Sequence, residues 1–234
     1  MNTETKQRIK NDLSQSWIVS RDTRRMKLIE KIYQDAKNYS EVFCIVAAEG
    51  SGKSEPARLF ADQQNVFLIK CKEHLNRKTF LADLLTAMGK NSGGYSVYEM
   101  MSAILETILS VENPIIIIDE ADKISDPLLY FFITIYNETE DKCGIVLQAT
   151  DHLKKRILKG VTMNKKGYKE MYSRIGRKFV ELPANNQGEL KRIAQLNGVS
   201  DDFELNRIVN ESEGDIRRVK RLVHAYHRKG GQAI

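Results

Sequence analysis

Cysteine is scarce, at 3 of 234 residues, and Cys44, Cys71 and Cys143 lie far apart. There is no Cys-x-x-Cys pair, and an odd, scattered set builds no disulfide framework, so a reducing cytoplasmic setting is expected. Their apolar surroundings predict small buried hydrophobes instead. Long apolar runs are also missing. The isoleucine run Ile115–Ile118 is far short of the roughly 18 to 20 residues that cross a bilayer, which excludes a membrane-spanning helix. Met1–Ser14 is polar, with Glu4, Lys6, Arg8, Lys10 and Asp12, and offers no apolar core for a secretory signal. Histidine is limited to 4 residues. His224 and His227 are three apart with no third ligand nearby, which predicts a solvated helix face and not a metal site.

What is present is an ordinary globular mixture, 41% hydrophobic and 29% charged, with a net charge of +6. The length suits one main core plus a smaller unit. The positive charge is clustered. Between His152 and Phe179 ten Lys or Arg face the single acid Glu170, and Arg217, Arg218, Lys220, Arg221, Arg228 and Lys229 form a second group. Such clusters attract polyanions, nucleic acid among them, or serve as solvated helix faces.

Short apolar runs of strand length occur at Val42–Val46, Val66–Ile69, Ile115–Ile118, Ile145–Leu147 and Phe179–Leu182. Segments with helical spacing separate them, such as Phe80, Leu81, Leu84, Leu85 and Met88, and Met100, Met101, Ile104, Leu105, Ile108 and Leu109. This alternation predicts an α/β fold with a parallel five-stranded sheet covered by helices. After Pro183 only helical patterns remain, at Gln187–Leu196, Phe203–Ser212 and Ile216–His227, punctuated by Gly198 and Gly214. The expected domains are an N-terminal extension (1–25), an α/β domain (26–184) and a helical lid (185–234).

The first strand runs into Ala47-Ala48-Glu49-Gly50-Ser51-Gly52-Lys53-Ser54-Glu55 and then a helical pattern. This is a P-loop. Small residues let backbone N–H groups wrap a phosphate, Lys53 reaches the β- and γ-phosphates, and Ser54 ligates Mg²⁺. Ala47 replaces the usual first glycine, which fits if that position needs no positive φ. About 65 residues later Ile115–Ile118 leads into Asp119 and Glu120, two acids at a strand's C-terminal end, where ligands gather in open sheets. Asp119 would hold Mg²⁺ through water, and Glu120 would act as general base on the attacking water. Asp122 is expected to be a helix-start acid.

Together these motifs and the helical C-terminus resemble the AAA+ ATPases, over about residues 20 to 229. The resemblance implies an ATP site in which Thr150, ending the strand Gly144–Ala149, is the first sensor. In Ser173-Arg174-Ile175-Gly176-Arg177 it makes Arg174, ahead of Arg177, the arginine finger supplied across a subunit boundary. In Gly214-Asp215-Ile216-Arg217-Arg218 it makes Arg217 the second sensor, reaching the γ-phosphate from the lid. Trp17 to Arg25, by position, is a candidate lining for the adenine pocket.

Within that group the order of GSGKSEPAR, IIIIDEAD, GIVLQAT, MYSRIGRKFVEL and GDIRR is similar to the transposition ATPases related to the target-DNA activator of bacteriophage Mu. That likeness implies ATP-dependent assembly into a helical filament or ring on double-stranded DNA, and activation of a transposase. The helix-turn-helix domain of the Mu-type protein has no room before Ala47, so DNA contact is expected from the ATPase domain itself. The implied contacts are Lys72, Arg77, Lys78 and Lys90, with Lys154, Lys155, Arg156, Lys165 and Lys166 as an alternative patch. Rival readings are a helicase loader or replication-type ATPase, and a nucleotide-gated protein switch without DNA. A P-loop kinase has no use for the Asp119-Glu120 pair or the Gly214–Arg217 segment.

Overall fold

The computed structural model describes residues 17–230. The polar stretch Met1–Ser14, most of the expected extension and the last four residues of the expected lid lie outside the described residues. By their internal contacts the residues fall into two compact units, one holding residues 28–48 and 53–182, the other 17–27, 49–52 and 183–230.

The larger unit is built on five parallel strands: β1 (Val42–Val46), β2 (Val66–Lys70), β3 (Ile115–Asp119), β4 (Gly144–Ala149) and β5 (Val180–Glu181), in the order β2-β3-β4-β1-β5. Helices α1 (Arg24–Tyr39, whose first four residues group with the other unit), α2 (Ser54–Phe60), α3 (Arg77–Ala87), α4 (Val97–Ser110), α5 (Asp126–Glu138), α6 (Asp151–Thr162) and α7 (Tyr168–Arg174) alternate with the strands. This is the α/β architecture expected from the run pattern.

The isoleucine run shows why the sheet is covered on both faces. Successive strand side chains point to opposite faces. Ile116 and Ile118 therefore join Cys44, Val46, Ile145 and Leu147 in a core with Phe80, Leu84, Ile104 and Phe132. Ile115 and Ile117 join Ile45 and Val146 in a second core with Ile29, Tyr33 and Phe60. Each fully buried side chain of this size contributes about 1.5–3 kcal/mol. Gly144 starts β4 because a Cβ there would collide with the backbone carbonyl of Ala36 in α1. The three cysteine thiols are buried and unpaired, and burial pushes each pKa up to about 12, as expected of small core hydrophobes.

The smaller unit packs α8 (Gln187–Leu196), α9 (Asp202–Ser212) and α10 (Ile216–Arg228) around Leu190, Ile193, Leu205, Ile208, Val219 and Val223. Their starts are chemically marked. Asn186 and Glu189 form a reciprocal capping box on α8, and the Asp215 carboxylate accepts the N–H groups of Arg217 and Arg218. His227 Nε2 lies 2.8 Å from the Asn197 carbonyl and His224 stands edge-on to Trp17. Among the described residues no group of three His, Cys, Asp or Glu is placed to hold a metal, and no helix is long and apolar enough to cross a membrane.

Candidate functional site

Three strands of the larger unit end in the residues that the motifs singled out. β1 leads to the P-loop, β3 to Asp119 and Glu120, and β4 to Thr150. Ala47 is buried, donates its N–H to the Ala149 carbonyl at 3.2 Å and has an ordinary negative φ, so the missing first glycine costs nothing. Gly50 and Gly52 do need glycine, with φ of 67° and 88°. Lys53 turns its ammonium back onto the strand end, donating to the carbonyls of Ala47 at 2.6 Å and Ala48 at 2.9 Å. Glu55, in the first turn of α2, pairs with Arg58 at 2.5 Å.

Asp119 is only 3% exposed. Its Oδ1 accepts the Glu120 N–H at 2.9 Å, and the Ser54 hydroxyl also bonds the carboxylate. Burial raises its pKa, and the Ser54 and Glu120 hydrogen bonds only partly oppose this. A buried carboxylate beside a hydroxyl is a hard-oxygen donor set of the kind Mg²⁺ prefers when phosphate oxygens complete it. The residues present fit that ion.

Glu120 sits in the left-handed region, at φ 54° and ψ 39°. A non-glycine residue there stores about 1–3 kcal/mol of strain, a cost concentrated at functional sites. Its Oε1 lies 3.2 Å from Lys70 Nζ, and Oε2 pairs with Lys123. Sequence reasoning missed both lysines. Lys70 ends β2, and parallel register places it opposite Asp119, so the signal was a lone charge closing the apolar run Val66–Ile69.

Thr150 caps α6 by position, but its hydroxyl is buried and has no partner among the described residues. Its N–H donates to Asp122 Oδ1 at 3.0 Å. Asp122 lies in the short 3-10 turn Ala121–Lys123, and its carboxylate fixes the turn after β4. Arg174 lies half-buried, its guanidinium 4.8 Å from the Tyr136 ring centre and 3.8 Å from Glu170; Arg177 is exposed with φ 54°.

In the smaller unit the phosphate-loop residues Gly50 to Gly52 lie against the start of α10. Ile216 donates its N–H to the Gly50 carbonyl at 3.0 Å, and a Cβ on Gly50 would collide with the Asp215 carboxylate. Arg217, the next residue, is exposed, while Arg218 pairs with Glu213 at 2.5 Å. Arg25, only 6% exposed, donates through Nη1 to the Ser51 carbonyl at 2.6 Å and through Nη2 to the Pro183 carbonyl. Burial pushes its pKa down, against the charge of Glu189. Sequence position suggested an adenine lining for Trp17–Arg25; the observed contacts of Arg25 are to the loop backbone. Arg25→Ala strands the buried Ser51 carbonyl and removes the part-buried bond to Pro183, and is expected to lower stability by about 2 kcal/mol, read by urea denaturation.

The candidate DNA contacts divide by environment. Lys72, Arg77, Lys78, Lys90 and Lys166 are exposed. Lys154 pairs with Glu181, Lys155 with Asp151, and Lys165 with Asp126, while Arg156 is partly buried beside Asp126.

A family model described as an AAA domain matches residues 36–157, a span that includes Lys53, Asp119, Glu120 and Thr150 and stops before Arg174 and Arg217. No curated protein matches the chain. Among solved structures it is similar to the Aeropyrum pernix ORC1 protein in complex with DNA, at a TM-score of 0.68 and 15% identity over 91% of this chain and 62% of that one. A Walker-type ATPase of Pyrococcus abyssi gives 0.63 and 16% over 91% and 69%, and Drosophila ORC bound to DNA gives 0.60 and 15% over 98% and 63%. The chain thus spans less than two thirds of the length of the two ORC-type chains. With the matched span covering more than half of its residues, and the sheet order and P-loop in place, the chain belongs to the AAA domain family.

Proposed function

We propose that the chain is a Mg²⁺-dependent ATPase whose ATP-bound form assembles on double-stranded DNA of any sequence and directs a transposase to that target. The observation that carries the ATPase reading is the buried Asp119 carboxylate bonded to Ser54, with Lys53 preceding it and Glu120 following the acid. The N–H groups of Gly50 to Ser54 would bind the phosphates, and Lys53 would leave the Ala47 and Ala48 carbonyls for them. Ser54 and Asp119 would hold Mg²⁺, which supplies charge neutralisation on the β- and γ-phosphates. Glu120 takes the proton of the attacking water, and the Thr150 hydroxyl, without a partner among the described residues, orients that water or the γ-phosphate. Arg217 in the lid (185–234) and Arg174 from a neighbouring subunit would stabilise the transferred charge. Arg174 must first leave Tyr136, which ties turnover to assembly.

Support for DNA comes from the exposed cations and from two proteins of similar fold, ORC1 in complex with DNA and ORC bound to DNA. Arg77 and Lys78 open α3, whose first turn holds no acid. Cations at that end oppose the helix dipole unless an anion such as a backbone phosphate lies there. The transposase reading rests on the motif order in the sequence. The ORC relatives favour a second reading, a replication-type ATPase.

Electron microscopy of the protein with duplexes of unrelated sequence and a nonhydrolysable ATP analogue tests the proposal. Nucleotide-dependent filaments or rings on every duplex are expected. Particles that ignore DNA would overturn the DNA reading, and preference for single strands or for a helicase would favour the replication type.

A further inference from the structure

β4 carries one amide in an otherwise apolar strand. Gln148 is 0% exposed, between β1 and β3, where an unbonded polar group costs free energy that a leucine would avoid. Both ends of its side chain have partners. The Tyr33 hydroxyl donates to Gln148 Oε1 at 2.7 Å, and Gln148 Nε2 reaches Asp119 Oδ1 at 3.5 Å, a long contact. The direction of this chain is forced. An ionised carboxylate only accepts, so the amide must turn its nitrogen to Asp119 and its oxygen to Tyr33, which leaves Tyr33 as donor.

Tyr33, also 0% exposed, packs its ring on Phe60 at a centroid distance of 5.0 Å, and a phenylalanine would fill that space equally well. The hydroxyl therefore serves the polar chain and not the packing. Burial first, and then the charge of Asp119, push the Tyr33 pKa well above its ordinary value, so Tyr33 remains a donor.

Resting on the nucleotide reading above, we propose that Tyr33 and Gln148 are positioning residues that fix the rotation of the Asp119 carboxylate for the Mg²⁺ of the bound nucleotide. With Oδ1 engaged by Gln148 and the Glu120 N–H, the carboxylate is held ready and need not be ordered when the ion arrives.

Binding of a fluorescent ATP analogue, titrated with Mg²⁺ and repeated in excess EDTA, tests this without turnover. Tyr33→Phe and Gln148→Leu are each expected to raise the half-saturating Mg²⁺ concentration about 3- to 10-fold, below the roughly 10- to 100-fold usual for partners of a directly bound metal ligand because Asp119 acts through water. Affinity in EDTA should not change. Because Tyr33 acts through Gln148, the double variant should be no worse than Gln148→Leu alone. An unchanged Mg²⁺ midpoint overturns the inference, as do equal losses with and without Mg²⁺ or additive effects in the double variant. If Gln148→Leu does not fold, Tyr33→Phe decides alone. Wild-type protein that binds no nucleotide overturns the parent reading and this one together, whereas wild-type binding with unaltered variants overturns only this one.

Discussion

Lys53→Ala is expected to abolish ATP binding and, with it, DNA binding. The Lys53 ammonium donates to the Ala47 and Ala48 carbonyls at the end of β1, where the P-loop begins. Exchanging those neutral acceptors for anionic phosphate oxygens pairs the ammonium with opposite charge, in hydrogen bonds worth roughly 1.5–3 kcal/mol each. Loss of two such bonds corresponds to at least about 100-fold in Kd, at 1.4 kcal/mol per tenfold. The fold should survive. Ala47 keeps its hydrogen bond to Ala149, and Pro56, Ala57 and Phe60 keep α2 buried, so stability should change by no more than about 1 kcal/mol. Calorimetry with ATP and anisotropy with labelled duplex, each run with and without nucleotide, read the two effects. Unchanged ATP affinity removes Lys53 from the site, while lost ATP binding with unchanged DNA affinity breaks the coupling.

The elements were legible where burial alone decides them. Val42–Val46 was read from the sequence with its observed bounds, and Ile115–Ile118 was one residue short, because β-branched runs covered on both faces have few other fates. The strand expected at Phe179–Leu182 is shorter, Val180–Glu181, because only these residues align with Ile45 and Val46; Phe179 instead stacks on Tyr172. Motif chemistry placed Asp119 and Thr150 at the ends of their strands and Lys53 at the start of the helix after β1, since a local strand-turn pattern encodes position. Partners set by tertiary register were not legible. Lys70 meets Glu120 only because β2 pairs with β3, and Arg25 meets a backbone carbonyl, which has no residue signature. Gln148 was visible as an amide in GIVLQA, but its partner Tyr33 lies 115 residues away.

Glu120→Gln is expected to keep ATP affinity within a few-fold while lowering turnover by about 10²–10⁴, the usual contribution of a positioned general base. The side chain keeps its shape and loses its charge. In the native site burial pushes the Glu120 pKa up, but hydrogen bonds and charge from Lys123 and Lys70 outweigh this, and the net direction is down. The carboxylate therefore stays ionised as pH falls from 8 toward the ordinary glutamate range near about 4.3, and turnover lost through this group should appear only below that range. Ionisation makes Glu120 available as a base, and since each oxygen already accepts from one ammonium group, a water takes a remaining lone pair or displaces a lysine. The left-handed backbone at Glu120 makes such a rearrangement local, because leaving that conformation releases strain. ATP retained without turnover should hold the protein on DNA, so dissociation after removal of free nucleotide, followed by anisotropy beside a phosphate-release assay, reads both consequences. Rapid phosphate release by Glu120→Gln would remove the residue from its role. Slow release with unchanged dissociation would keep the base and separate hydrolysis from disassembly.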